Sequence, residues 1–469
     1  MIPHAEFLRR DGVRVRYGPP EEPLLNPNSR RHKIGLLGPF SFGNLGNAAL
    51  QQTLMEYLET LFPDAKFYGC CIDPNEPAET RRIHPFPINR HVPWSRRSES
   101  STPNQTGKVE YPVGRGTISN WITRTSPILG AWRRARTVWS KLKEVQEEIA
   151  FCYDAYRFAK EFRLLVIGLG GVFDEAWGGK WGDLYSYFRW AVLARLAGIP
   201  LVCLSIGLEV VDTRLAKFFC RTALSLAAYR SFRDTESKEK AVSIGVGGEN
   251  YVFPDLAFAL NLGSYNEIVA DRREPKLVGV SPLAYCDPRF WPIKDIFAYR
   301  NYLNGLSSFV SWLLQDGYNV VLFPTQVRMD RLAIEELKAL VLEKLPPRLH
   351  ARLSDVKLQT VEECLALVSR LGTVVTSRLH GVILASLVNT PIIAISPASK
   401  VDRLMEAMGM TEYLFNIRRI ELPPLINCFR RLEANHAVVR QAMKQNVAKY
   451  RLAVMSQFDL VFRSSLRDL

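Results

Sequence analysis

The sequence predicts an α/β protein with two Rossmann-like parallel-sheet domains that face each other across a cleft. Short apolar segments alternate with segments of helical periodicity, which is the pattern of parallel strands covered by helices on both faces. The alternation runs twice, on either side of a polar stretch at about 262–276. The length of 469 residues also favours more than one domain.

Four regions are expected along the chain. Residues 1–32 are polar and rich in proline and arginine, which indicates an N-terminal arm. A first Rossmann-like domain is predicted over 33–265, a second over 276–425 and a helical segment over 426–469. The carboxyl ends of both sheets would face the cleft, where open α/β sheets bind ligands.

Strands are predicted where apolar runs end in glycine or polar loops, and helices where apolar residues recur at helical spacing. The strands are 33–38, 65–70, 164–168, 201–205, 229–233 and 251–255, then 277–281, 318–324, 373–376 and 392–395. The helices are 47–61, 184–197, 214–226 and 237–244, then 298–314, 333–345, 361–369 and 382–388.

A basic and aromatic insertion interrupts the first array at about 80–145. Its ten arginines lie among four tryptophans, and serine, threonine and proline make up seven of the twelve residues at 95–106. This composition is typical of a patch that binds an acidic substrate or a membrane surface. The alternative, which the composition favours, is a partly disordered insertion with a solvated, charged face.

Charge and composition restrict the classes of partner. The net charge of +14 attracts anions, but no recognised nucleic-acid-binding motif accompanies it, so we expect no nucleic-acid partner. No two of the eight cysteines form a CxxC pair, so no structural zinc is expected. The N-terminus has no signal-peptide pattern, and the most apolar stretch, 374–395, contains Arg378 and His380. We therefore expect a cytoplasmic protein, with peripheral contact at the inner membrane face as an extension.

Four loops that follow predicted strands carry the candidate chemistry, whereas Walker, GxGxxG, HExxH and GxSxG motifs are absent from the sequence. The first loop contains Gly43, Asn44 and Gly46 directly before a helix. Glycines there let backbone amides approach an anion at a helix start. A tight structural turn explains the same residues equally well.

The second loop contains Gly170, Gly171 and Asp174. A carboxylate just past the edge of a sheet can orient or deprotonate a sugar hydroxyl. A helix N-cap is the alternative for Asp174.

The third loop follows the strand that ends in Arg233. An arginine there can hold a carboxylate or phosphate through two parallel hydrogen bonds. The alternative is a surface contact with Asp234 or Glu236, which contributes little stability.

The fourth loop is Thr376–Gly381, between a buried strand and an apolar helix. Arg378 and His380 need partners in such an apolar setting, because an unpaired buried charge is costly. A cation, an imidazole and a helix start at one point indicate a site for an anion that undergoes proton transfer. The alternative is a core histidine bonded to a backbone carbonyl. Lys400, after the next strand, is expected near the same edge.

These residues in this order resemble the polysaccharide pyruvyl transferase family over most of 33–410. The resemblance runs through the Gly-Asn-Leu-Gly loop, Gly170-Gly171, Arg233-Asp234, Pro254-Asp255-Leu256-Ala257-Phe258, Arg378-Leu379-His380 and Lys400. The chain departs from the family pattern at Asn47, at Leu169, and at Ser205-Ile206, where the family usually has Gly-Gln.

The resemblance implies a GT-B fold and the transfer of pyruvate from phosphoenolpyruvate to sugar hydroxyls as a ketal. Its catalytic candidates are His380 as the acid, Asp174 as the base and Arg233. The residues implied to bind substrate are Arg378, Leu379, Lys400, Gly43, Asn44, Gly46, Gly170 and Gly171. No metal or other cofactor is expected, because arginines supply the positive charge.

The acceptor would be a polysaccharide or glycan precursor, either free or lipid-linked. Two other functions stay open at this point. One is a GT-B glycosyltransferase that uses a nucleotide-sugar, with Arg378 and Lys400 on its diphosphate. The other is a non-catalytic relative that binds glycans or anions.

Overall fold

The computed structural model describes residues 33–40, 43–71, 83–89, 127–168, 170–176, 179, 181–263 and 274–463. The predicted arm at 1–32 lies outside these residues, as do residues 90–126 of the predicted insertion and Leu169.

The first sheet has seven parallel strands in the order β3-β2-β1-β4-β5-β6-β7. The strands are β1 (Lys33–Phe40), β2 (Lys66–Cys71), β3 (Ile83–Pro87), β4 (Phe162–Ile167), β5 (Leu201–Ile206), β6 (Tyr229–Phe232) and β7 (Tyr251–Val252). Ile34, Leu36 and Leu37 of β1 are fully buried. Burial of successive residues, which point to opposite faces, shows that both faces of the sheet are covered.

The helices of this domain are α1 (Leu45–Leu61), α2 (Pro127–Ala159), α3 (Asp183–Ala197), α4 (Arg214–Ser225) and α5 (Thr235–Ser243), and a 3-10 turn spans Leu256–Ala259. Helix α1 begins two residues before its predicted start, because the Asn44 side chain caps it. Asn44 Oδ1 accepts the amides of Gly46 at 3.0 Å and Asn47 at 3.3 Å. Strand β3 and helix α2 occupy the two ends of the predicted insertion.

The second sheet has six parallel strands in the order β10-β9-β8-β11-β12-β13. The strands are β8 (Glu274–Ser281), β9 (Asn319–Leu322), β10 (Leu353–Asp355), β11 (Leu371–Thr376), β12 (Ile392–Ser396) and β13 (Leu414–Asn416). The helices are α6 (Ile296–Gln315), α7 (Met329–Lys344), α8 (Pro347–His350), α9 (Val361–Arg370), α10 (Leu379–Leu387) and α11 (Ser399–Ala407), with a 3-10 turn at Thr411–Tyr413. The edge strands β10 and β13 carry too few buried residues to give an apolar run, so the sequence did not predict them.

Each sheet has one point where the strand order reverses, between β1 and β4 in the first and between β8 and β11 in the second. At such a switch point, neighbouring strands continue in opposite directions and leave a crevice beyond their carboxyl ends. The loops after β1, β4 and β11 carry the first, second and fourth sets of candidate residues. The topology therefore brings these loops to the two crevices.

The C-terminal helices connect the two domains. Helix α12 (Leu422–Ala434) is followed by α13 (His436–Phe458) and a π-helical turn at Asp459–Arg463. Helix α13 begins on the second domain, where His436 Nε2 lies 3.2 Å from Thr373 Oγ1. Its end reaches the first domain, where Phe458 stacks on Tyr57 and Asp459 accepts a 2.8 Å hydrogen bond from the Tyr57 hydroxyl.

Gln457 anchors the end of α13 under the first sheet. Its fully buried side chain accepts a 2.9 Å hydrogen bond from the Ser205 hydroxyl and donates one of 2.8 Å to Ser231 Oγ. Ser205 has a φ of +46°, in the left-handed region that favours glycine. The hydrogen bond from its hydroxyl to the buried Gln457 side chain helps to hold Ser205 in this conformation.

None of the helices within the described ranges has the length and apolar character needed to cross a bilayer.

Candidate active site

His380 lies in the first turn of α10, at the carboxyl end of β11. The turn from strand to helix is tight at Gly381, because a Cβ there would lie 2.2 Å from Thr376 Oγ1. Leu379 is buried in the core of this turn and contributes an apolar contact rather than a polar group. The sequence Arg378-Leu379-His380 thus fixes where the imidazole leaves the backbone.

The imidazole is held between the two domains. On one side the first turn of α1 presses against it, since a Cβ on Gly46 would lie 2.0 Å from His380 Nδ1. On the other side His380 Nε2 lies 3.7 Å from Asp255 Oδ2. Both of these buried atoms lack a hydrogen-bond partner among the described residues. Facing, unsatisfied polar atoms of this kind usually mark a site for a ligand or an ordered water.

Asp255 joins the imidazole to a buried arginine. Its Oδ1 accepts the amide of Ala257 at 3.1 Å and so caps the 3-10 turn, while Oδ2 lies 3.7 Å from Arg233 Nη1. Burial alone would raise the pKa of Asp255, but His380, Arg233 and the Ala257 amide outweigh it and hold that pKa below its ordinary value. Asp255 is therefore an ionised carboxylate between two basic groups.

Arg233 is almost fully buried and its closest ion pair is with Glu209, at 3.0 Å between Nη2 and Oε1. Two glycines make room for this pair. A Cβ on Gly207 would lie 2.6 Å from Arg233 Nη2, and one on Gly171 would lie 3.2 Å from Glu209 Oε1. The contact with Asp234 that was the alternative is present at 3.8 Å, but it lies in the interior rather than at the surface and is longer than the pair with Glu209.

Lys400, from α11 of the second domain, reaches the same carboxylate. Its Nζ lies 3.4 Å from Glu209 Oε1 and its side chain is one third exposed, at 33%. Burial would raise the pKa of Glu209, but Lys400 and Arg233 lower it below the ordinary value. Glu209 therefore joins a cation from each domain, and Lys400 is the more accessible of the two.

Arg378 points toward Asp330 of α7, a fully buried carboxylate. Nε donates to Oδ2 at 2.9 Å and Nη2 donates to Oδ1 at 2.6 Å, so the pairing is bidentate. Asp330 Oδ2 also accepts the amide of Gln326 at 2.8 Å. The guanidinium is thus held in place by the protein, and the Arg378 side chain is 20% exposed.

The loop with Gly43 and Asn44 forms a contact between the domains. Gly43 has a φ of +66°, and its carbonyl accepts the Val327 amide at 2.7 Å. The Leu45 amide donates to the Thr325 carbonyl at 2.9 Å, and Asn44 pairs with Gln326 in an antiparallel bridge. With the Asn44 cap, these bonds engage the first amides of α1. Anion binding by this loop stays a prediction.

Asp174 lies in the loop after β4, where Gly170 has a φ of +80°. Its Oδ1 accepts the Ala176 amide at 2.9 Å, so it stabilises a turn; helix α3 begins only at Asp183. Burial raises the pKa of Asp174, and the nearby Glu209 raises it further, against the Ala176 amide and Lys400. This is the environment of a carboxylate that can accept a proton.

A second set of ion pairs holds the domains together beside the site. Arg403 of α11 donates to Glu236, and its Nη2 donates to Asp234 Oδ2 at 3.2 Å. Asp234 also caps α5 through the Ser237 amide at 2.8 Å. The cap that follows Arg233 in sequence is therefore also a contact with the second domain.

The structure brings Arg233, His380 and Lys400 together around Asp255 and Glu209. It places Asp174 close enough to Glu209 and Lys400 for their charges to shift its pKa. It turns Arg378 toward Asp330. Sequence reasoning missed the roles of Glu209, Asp330 and Arg403, and noted Asp255 only as part of a motif. Glu209 comes shortly after strand β5, just as Asp174 comes shortly after strand β4. This position after a strand is the sequence signal that could have identified Glu209 as a site residue.

The described residues contain no group of three or more histidine, cysteine, aspartate or glutamate side chains arranged to hold a metal ion. Instead, each of the four basic side chains Arg233, Arg378, Lys400 and Arg403 contacts a carboxylate. An anionic ligand would bind these basic side chains either beside the carboxylates or in their place.

Comparison with known proteins agrees with this architecture. The chain is similar in structure to the UDP-GlcNAc 2-epimerase of Neisseria meningitidis bound to UDP-GlcNAc, with a TM-score of 0.54, 10% identity, and coverage of 92% of this chain and 100% of that one. It is also similar to the sucrose-phosphate synthase of Thermosynechococcus elongatus, with a TM-score of 0.51, 14% identity, and coverage of 92% and 99%. The chain has the GT-B fold of these proteins, as the sequence predicted.

The sequence comparisons are more specific. No curated protein matches the chain. The family model described as polysaccharide pyruvyl transferase matches residues 44–399. This range begins at the Asn44 cap and ends just before Lys400, so it contains Asp174, Arg233, Arg378 and His380.

Proposed function

Because the chain belongs to the polysaccharide pyruvyl transferase family, we propose that it moves pyruvate from phosphoenolpyruvate onto two hydroxyls of a glycan as a ketal. One observation carries the proposal. Arg233 and Asp255 of the first domain meet His380 of the second, with Asp255 Oδ2 3.7 Å from Arg233 Nη1 and from His380 Nε2. A cation of the first domain and the imidazole of the second thus lie on either side of one buried carboxylate.

The donor would bind through its carboxylate and phosphate. Lys400 is the cation that can move most easily, because its contact with Glu209 is 3.4 Å long and its side chain is partly exposed. Arg378 offers a partly exposed side chain that Asp330 already orients, which lowers the entropy cost of binding. Arg233, held by Glu209, would add its charge from the opposite domain.

The reaction then needs three proton transfers, after which exchange with solvent removes the proton from Asp174 and returns one to His380. A sugar hydroxyl attacks the substituted carbon of the enol ester and gives its proton to Asp174, while His380 protonates the methylene carbon to form a methyl group. A second hydroxyl of the same sugar displaces phosphate, which leaves with the proton of that hydroxyl. The raised pKa of Asp174 suits a base, and the contact with Gly46 holds the imidazole of His380 in place.

The acceptor would be a polysaccharide or a glycan precursor, free or lipid-linked. Family membership supports a sugar acceptor, and the cytoplasmic location and the peripheral membrane contact stay predictions from the sequence. No metal is required in this scheme, since the arginines supply the positive charge, and we expect full activity in the presence of a chelator.

The test is release of phosphate from phosphoenolpyruvate in the presence of a panel of glycans, with ketal formation followed by mass spectrometry. His380→Gln should abolish release without loss of fold. Thermal shift distinguishes the alternatives, because phosphoenolpyruvate should stabilise a pyruvyl transferase and UDP-sugars a glycosyltransferase. Stabilisation by UDP-sugars alone would reject the proposal. Binding of a glycan with no phosphate release from any pair would favour a non-catalytic relative.

A further inference from the structure

Helix α2 carries an apolar stripe that is exposed to solvent. Its members recur three or four residues apart, at the spacing of one helix face. Their exposed fractions lie between 56% for Val145 and 65% for Ile149, and the stripe comprises Val138, Leu142, Val145, Ile149 and Tyr153. Isolated exposed apolar residues are ordinary, but an aligned set marks an interaction surface.

The stripe is not the face by which α2 packs on its own domain. That face is formed by Phe151, Ala155 and Ala159, which are buried. At 100° per residue, Ile149 points about 160° away from Phe151 around the helix axis. From residue 138 to 147, every residue of α2 is exposed. Among the residues that the structure describes, none covers the apolar face of this part of the helix.

Aromatic side chains continue this surface. Trp139 lies beside the stripe and is 75% exposed. Tyr185 of α3 donates to Glu148 of α2 at 2.9 Å and packs against Trp181, whose ring centroid lies 5.3 Å away. Trp181 is also exposed. Tryptophan is enriched where a protein meets the polar and apolar boundary of a lipid bilayer.

The charge of the chain indicates which kind of partner binds the apolar stripe. The sequence of α2 has six basic and four acidic residues, and five of the basic ones precede its first acidic residue, Glu144: Arg133, Arg134, Arg136, Lys141 and Lys143. The whole chain carries a net charge of +14. A second copy of the chain would carry the same net positive charge, which disfavours the approach of the two copies. An anionic lipid surface would satisfy the basic residues and the apolar stripe together.

We propose that the exposed stripe of α2 binds an anionic lipid bilayer, with the helix lying in the plane of the interface. The first domain would then rest on the membrane, and the apolar side chains would enter the boundary between headgroups and acyl chains. This proposal concerns the surface alone and does not depend on which reaction the cleft performs.

The test uses the full chain and sedimentation with vesicles of phosphatidylcholine, with or without phosphatidylglycerol. The wild-type chain should bind the anionic vesicles, and salt should weaken binding. The double variant Leu142→Glu with Ile149→Glu should bind at least about tenfold less, because two apolar contacts are lost and two negative charges are added. A matched control is Val438→Glu with Leu452→Glu, since these helical residues are 71% and 72% exposed and lie on α13.

The control variant should bind as wild type does, and quenching of tryptophan fluorescence by brominated lipids should decrease in Trp139→Phe. Both double variants should keep the unfolding temperature of the wild type and its activity on a soluble acceptor. Failure of the wild type to bind, or equal loss in both variants, would overturn the proposal. So would a concentration-dependent dimer that only the Leu142 and Ile149 variant loses, because a second copy would then be the occupant.

Discussion

Gly46 and His380 touch across the domain boundary so closely that no side chain fits between them. A Cβ on Gly46 would lie 2.0 Å from His380 Nδ1. The first turn of one domain's helix therefore sets the orientation of the other domain's imidazole.

Gly46→Ala should move the imidazole and lower kcat for phosphate release by about tenfold or more, because catalytic groups act only within a narrow geometry. The added Cβ would also lie 2.4 Å from His380 Cβ, so the unfolding temperature should fall as well, and kcat is compared at a temperature where both variants are folded. Gly247→Ala is the control, since a Cβ there meets nothing within 4 Å. Equal kcat in the two variants would mean that His380 does not act in the reaction.

Asp255→Asn should lower activity by on the order of a hundredfold, because it removes the charge that lies between Arg233 and His380 while keeping the shape of the side chain. Asp287→Asn provides a matched control, as Asp287 is a buried aspartate with an ion pair of 2.6 Å to Arg289 outside the site. Steady-state kinetics with phosphoenolpyruvate and an identified acceptor measures both. Similar losses in the two variants would indicate a structural role for Asp255 only.

Asp330→Ala should release Arg378 and leave a partly buried guanidinium without its carboxylate. We expect a loss of about 3 kcal/mol in the free energy of unfolding, measured with urea. The affinity for phosphoenolpyruvate should also fall, because Arg378 would no longer be held in position. Unchanged donor affinity, measured by calorimetry on the folded variant, would remove Arg378 from the donor site.

The raised pKa of Asp174 predicts the acid side of the pH profile. As the base, Asp174 must be ionised, so kcat/KM should fall with decreasing pH at values above the ordinary aspartate pKa of 3.8. A carboxyl with a raised pKa favours the folded state below its ordinary pKa, and this contribution is lost as pH rises through the folded pKa. Asp174→Asn should therefore be almost inactive, yet no less stable than wild type at neutral pH. If the Asp174→Asn variant still lost its residual activity at low pH as the wild type does, Asp174 would not be the group that causes this loss.

Gln457→Ala should lower the free energy of unfolding by about 1–3 kcal/mol, because the buried hydroxyls of Ser205 and Ser231 lose a partner. Gln52→Ala is a suitable control, since Gln52 bonds only the neighbouring Glu56 on the same helix among the contacts described. Chemical denaturation compares the two. Equal stability of the two variants would show that the end of α13 does not hold the first domain.

The sequence predicted the loops of the site better than the contacts within them. The loop with Arg378 and His380 was recognisable because two polar residues interrupt an apolar strand and helix. Its partners were not, because Asp255 lies 125 positions from His380 and Asp330 lies 48 from Arg378. Such pairs arise from the packing of two sheets, which no local pattern contains.

The secondary structure was also predicted only in part. Buried strands such as β4 and β11 were predicted near their observed bounds, because consecutive apolar residues define them. Helix α2 was not predicted, because its basic and aromatic composition resembles that of an irregular insertion and its apolar residues from 138 to 149 are exposed. Similarly, the predicted strand at 251–255 ends at Val252, because Asp255 begins a 3-10 turn through its own side chain.

The anchoring of Gln457 beneath Ser205 and Ser231 has a consequence for biosynthesis. The glutamine that completes the hydrogen bonding of β5 and β6 is made more than two hundred residues after them, and it is still inside the ribosomal tunnel when the second domain emerges. The domain translated first therefore completes these hydrogen bonds only after most of the second domain has been made.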